Sequence, residues 1–179
     1  MNHELVKFLP ILLSIILLGL AVKFVDWKKR ESYARTILFA ICVDFFISIL
    51  TYKHSLWYFH PAFLIPNHTI ADFMIAFTNI PLIVLLFLSH YPYGTSILKQ
   101  GAYITLWSVL FTIIETIFLF TNLLSYHNGW TSWWSFMVWI ATFISLILHQ
   151  KKPIIVWALC FSCTIFLVLY FHIPVLKLK

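Results

Sequence analysis

The sequence predicts an all-α fold, a polytopic transmembrane helical bundle of about six spans, with five as the alternative. Two observations carry this expectation. Of 179 residues, 62% are apolar and only 10% charged, with a mean hydropathy of +0.94, too little polar material to coat a soluble globule. Six apolar runs (5–25, 33–52, 70–88, 102–124, 133–148 and 154–173) approach the roughly 20 helical residues needed to cross a hydrocarbon core about 30 Å thick. No internal repeat or long linker divides them, so residues 1–179 read as a single integral membrane domain.

The first run has Glu4 where a signal peptide would be basic, and no small-x-small cleavage pattern follows Leu20, so it reads as an uncleaved span. A short charged turn with Trp27 beside it leads to the second span, which contains Asp44. The connection 53–69 carries Pro61 and Pro66, which argue against a continuous helix, and Trp57, Tyr58 and Phe59 suit a segment lying in the outer interface. Asn67-His68-Thr69 matches the glycosylation acceptor pattern, which has meaning only in a eukaryotic secretory setting. In the third span Pro81 predicts a kink. The fourth span holds Glu115 near its middle, and Trp130, Trp133 and Trp134 read as the interfacial girdle of the fifth. Cys160 and Cys163 in the sixth have redox-motif spacing. A membrane thiol oxidoreductase needs a second, shuttling pair, which Cys42 alone does not supply, so these cysteines read as packing residues.

Basic residues set the expected topology. The connections after spans one, three and five hold Lys28, Lys29, Arg30, Arg35, Lys99, Lys151 and Lys152, against Lys7, Lys53, Lys177 and Lys179 on the other side. The positive-inside rule then makes connections 26–35, 89–101 and 149–153 cytoplasmic, with both termini outside a cell membrane. The excess of basic over acidic residues therefore serves topology, and the expected partner is the lipid bilayer, not nucleic acid.

Polar residues inside the spans are the functional clue. A charged group at the centre of a membrane helix costs about 2.5–3.5 kcal/mol even on insertion scales, so such groups face protein or a wet cavity. Helical spacing aligns Gly101, Thr105, Ser108, Thr112, Glu115 and Asn122 as a seam along the fourth span. Ala40, Asp44, Ser48 and Thr51 repeat it in the second, and Ser135, Thr142, Ser145 and His149 more weakly in the fifth. Asp72 and Asn79 mark the third. The simplest arrangement places spans two to five inside, with one and six outside. Small-polar seams also serve plain helix packing, so two readings stand: a functional polar cavity, or a hydrogen-bonded structural core.

In the expected orientation Asp44 is near mid-membrane, Glu115 somewhat outward and Asp72 at the outer boundary, with His54, His60, His68 and His127 in outer connections. Acids and histidines converge there on what would be a proton or cation entry path. Neither metal-ligand spacing nor a Gly-x-Ser-x-Gly or Gly-x-Gly-Asp motif occurs. No catalytic residue, metal or cofactor is therefore assigned, and enzyme activity is the minority reading. The site candidates are Glu115, Asp44, Asp72, Asn79, Thr112, His68 and His127.

From Pro81 through His90-Tyr91-Pro92, Glu115, Tyr126 and Trp130 to Trp134, the order and spacing resemble a family of small, functionally uncharacterised multi-pass membrane proteins of spore-forming Gram-positive bacteria, designated by a locus tag. The matching pieces are the proline ten residues before Tyr91-Pro92, a Glu in the next helix, and a Tyr then Trp-rich start to the following one. The resemblance covers roughly spans two to five. It implies a bacterial cytoplasmic membrane, a helical bundle of about five spans with the sixth here as an extension, and no particular activity.

The sequence thus leads to two expectations. One is passage or sensing of protons, small cations or a small solute, with Glu115 titrating and Asp44 as its partner. The other is a non-catalytic scaffold or subunit, associating as a homo- or hetero-oligomer.

Overall fold

The computed structural model describes residues 3–175, so Lys177 and Lys179 lie outside the described residues. Six helices are long and apolar enough to cross a membrane: α1 (Glu4–Phe24), α2 (Trp27–Thr51), α3 (His68–His90), α4 (Ile97–Phe120), α5 (Ser132–His149) and α6 (Pro153–Tyr170). Among the described residues there are also two short strands, β1 (Trp57–Phe59) and β2 (Leu124–Tyr126).

Local chemistry sets the helix starts. Asp26 accepts from the Lys28 N–H at 3.2 Å in the turn that opens α2. The Asn67 side chain accepts from the Ile70 N–H at 3.0 Å, so the Asn67-His68-Thr69 triplet begins as the N-cap of α3. Pro153 occupies the first turn of α6, where its missing N–H costs nothing. The disturbance expected at Pro81 takes the form of a π-helical turn, Ile75–Asn79. Proline offers no donor and its ring crowds the carbonyl four residues earlier, here that of Phe77, and the wider turn relieves this. The turn also buries Asn79, whose Oδ1 accepts from the Ser14 hydroxyl of α1 at 2.7 Å.

The centre of the bundle is α3. Half of its apolar window is buried, against 11% for α4 and for α6, and Leu82 through Leu88 are all buried. Phe87 and Phe143 are wholly enclosed, their rings 4.5 Å apart between α3 and α5. Helices α1 and α2 pack on α3, and α4 and α6 pack on α5. The expected arrangement is therefore corrected: α1 contributes Leu17 and Ala21 to the main core, and α4 joins α6 at the periphery. Uniform apolarity marked α1 as external, but helices at the middle of a bundle are equally apolar all round.

Connections two and four are not simply interfacial. They pair as an antiparallel ribbon, with Trp57 opposite Tyr126, Tyr58 opposite Ser125 and Phe59 opposite Leu124. Backbone at a membrane boundary needs partners, and the ribbon supplies them. Trp130 is buried beside Leu56, Phe171 and Ile173, so it belongs to the packed cap and not to a lipid-facing girdle; Trp133 is exposed. The Phe63 N–H donates to the Lys7 carbonyl at 3.1 Å, so this ribbon end gathers connections two and four and the flanks of α1 and α6.

Candidate functional site

Glu115 projects from α4 toward α5 and the ribbon. Its Oε1 accepts from the Trp139 indole N–H at 2.6 Å and its Oε2 from the Tyr126 hydroxyl at 2.7 Å. Tyr126 is also 2.9 Å from the Ser135 hydroxyl, which accepts from the Trp130 indole at 2.9 Å. An ionised carboxylate only accepts and a phenol carries one hydrogen, which fixes the direction of the chain: Trp130 to Ser135, Ser135 to Tyr126, Tyr126 to the carboxylate. Trp139 also packs on Phe111, ring centroids 4.6 Å apart. The carboxylate thus holds α4, α5 and β2 together with charge-assisted hydrogen bonds.

Burial, and then the Glu115 carboxylate, push the Tyr126 phenol well above its ordinary value of 10.0. A proton held more tightly in the folded state stabilises it below the unfolded value, and that contribution is lost as pH climbs toward the folded value. Stability is therefore expected to hold to about pH 10 and then fall. Thermal unfolding between pH 8 and 11.5 should show a steeper decline for the native chain than for Tyr126→Phe. Matching slopes would contradict the assignment.

The other two membrane acids form a second cluster, between α2 and α3. Asp44 and Asp72 lie within electrostatic reach of each other, and Asp72 lies beside Ser48, one turn from Asp44. His68 Nδ1 accepts from the Phe59 N–H of β1 at 3.3 Å, and Nε2 stands 3.6 Å from Asp72 Oδ2. Among the described residues the ion pairs are Lys7–Glu4, Lys29–Asp26 and His68–Asp72, so no Lys or Arg pairs with Asp44 or Asp72. At 1.5 Å per residue Asp44 lies about 10 Å along its helix from the ribbon end, Asp72 about 6 Å and Glu115 about 8 Å.

Asp44, Asp72 and His68 are therefore together, while Glu115 keeps separate company and Asp44 is not its partner. Thr112 donates to the Ser108 carbonyl of its own helix at 2.8 Å, and Asn79 serves the junction with α1. Exposed His127 shares Ser125 with His60, at 2.8 and 3.0 Å, on the ribbon face opposite Tyr126. The α4 seam is discontinuous: Ser108 is buried, but Gly101 and Thr105 are exposed. Among the described residues no group of three or more His, Cys, Asp or Glu is placed to hold a metal.

At the opposite end lies a cluster the seams only hinted at. Buried Thr36 accepts from Gln150 Nε2 at 2.6 Å and shares a hydrogen bond with His149 Nδ1 at 2.9 Å, while the imidazole stacks on Phe39 at 4.3 Å. Thr36→Val takes this partner from the buried His149 Nδ1 and the half-buried Gln150 Nε2 and is expected to cost about 1–3 kcal/mol, measured as unfolding in detergent. A loss below about 0.5 kcal/mol would mean the cluster is not a structural tie. A scan of family models, a search of curated proteins and a search of solved structures each return no match.

Proposed function

We propose that this multi-pass membrane protein passes or senses protons or small monovalent cations through an acidic site at its ribbon end, centred on Asp44, Asp72 and His68. The observation that carries this reading is a pair of carboxylates near the ribbon end of their helices with no Lys or Arg ion pair among the described residues. Neighbouring carboxylates repel unless a proton or cation is shared between them. The sequence reading that gave the titrating role to Glu115 is set aside in favour of this pair, because Glu115 already has two donors.

The charge distribution supports an orientation with the ribbon end outside. Lys23, Lys28, Lys29, Arg30, Arg35, Lys99, Lys151 and Lys152 gather at the opposite end, against Lys7 and Lys53 among the described residues of the ribbon end. A bacterial cytoplasmic membrane is the location in keeping with the family resemblance.

The test is dye-reported flux in sealed proteoliposomes under an imposed potential. Flux that disappears in Asp72→Asn, with a native elution profile, supports the reading. No flux under H+, Na+ or K+ gradients would overturn passage, and the same dependence of unfolding stability on cations, and on pH below 8, in the native chain and in Asp72→Asn would overturn sensing. A scaffold or subunit is the second reading, favoured by the fully bonded Glu115 latch.

A further inference from the structure

We infer that the groove between α1 and α4 holds one acyl chain of an anionic phospholipid, with the lipid phosphate at Lys23 and His90. The groove encloses about 450 Å³ and is walled by Leu13, Leu17, Phe24, Trp107 and Ile114, with His90 as a polar member. It does not involve the acidic site.

Length, chemistry and charge agree on this occupant. From Phe24 back to Leu13, α1 covers about 16 Å at 1.5 Å per residue, close to half of a hydrocarbon core about 30 Å thick. The groove is therefore one leaflet long. Its walls are hydrocarbon and open toward the exposed Ile16 and Leu20, and an unfilled apolar cleft forfeits dispersion contacts that an acyl chain restores.

One end of the groove is basic. Lys23 Nζ lies 5.1 Å from the Phe24 ring centroid, and Phe24 meets the His90 ring edge-on at 6.5 Å. No carboxylate among the described residues forms an ion pair with Lys23. His90 Nδ1 donates to the Leu86 carbonyl at 3.0 Å, which leaves Nε2 as the ring's remaining polar atom. Lys28, Lys29 and Arg30 follow in the adjoining turn. A phosphate suits this end, and basic residues near a membrane surface favour anionic lipid.

The experiment uses the full chain in nanodiscs whose lipids carry bromine at mid-chain, which quenches nearby indoles. The Trp107 contribution is the difference between the native chain and Trp107→Phe. At equal mole fraction, brominated phosphatidylglycerol is expected to occupy the groove about five-fold more than brominated phosphatidylcholine. The Lys23→Gln/His90→Gln double variant, with native elution, should lose that preference while Trp107 is still quenched. Equal quenching by both lipids in the native chain would overturn the proposal, as would a Trp107 component that neither lipid quenches. Preference surviving in the double variant would overturn the assignment of the phosphate to Lys23 and His90.

Discussion

Replacing Glu115 with leucine is expected to destabilise the protein by about 2–4 kcal/mol, while Glu115→Gln costs under about 1 kcal/mol. The difference follows from which donors can turn. With glutamine, the carbonyl keeps Trp139 and the amide NH2 donates to Tyr126, whose hydroxyl then donates to Ser135. With leucine the hydroxyl chain can still reverse, but the Trp139 indole cannot become an acceptor and is left unpaired. Removing a carboxylate from a poorly hydrated site offsets part of that loss. Thermal unfolding in detergent, followed by indole emission, reads both variants. If glutamine were as damaging as leucine, the negative charge and not hydrogen bonding would be what holds α4, α5 and β2 together.

The spans were legible because a helix must be about 20 apolar residues long to cross lipid; the six runs and six helices differ only at their ends. Pro81 likewise announced a break in α3, though not that a π-turn would present Asn79 to Ser14. The ribbon was not legible. Two three-residue strands whose paired residues lie 65 to 69 positions apart leave no periodic signal, and the aromatic residues that pack them resemble an interfacial belt.

For the sites, composition identified the acids but not their company. Glu115 stood out because carboxylates are costly in lipid, yet its partners are a strand tyrosine and an α5 tryptophan, which spacing within α4 does not disclose. The α4 seam was read as a continuous face, but Ser108, Thr112 and Thr116 each donate to a carbonyl four residues back. A hydroxyl satisfied in this way has no need of a neighbour. Asp44 and Asp72 came together because antiparallel α2 and α3 bring Ser48 level with Asp72, a register that spacing within one helix does not disclose.

Asp72→Asn and Asp44→Asn are each expected to reduce cation or proton flux about ten-fold or more, while Glu115→Gln leaves it within about two-fold. A cation about 5 Å from a carboxylate gains about 3 kcal/mol at an effective dielectric near 20, so losing either acid weakens the site by more than the about 1.4 kcal/mol that makes a factor of ten. The two asparagine variants should also differ. Asp72 is shared with Ser48 and His68, so its loss changes the connection to the ribbon through the Phe59–His68 hydrogen bond, whereas Asp44 lies deeper and its loss leaves that bond alone. The His68 ring resonances should therefore move in Asp72→Asn and stay near native in Asp44→Asn. The ribbon makes a coupling between the two acid sites physically available, since β1 bonds His68 and β2 bonds Glu115. If flux vanished in Glu115→Gln but persisted in both asparagine variants, the pathway would run along α4 and α5, and the Asp44–Asp72 pair would be a packing feature.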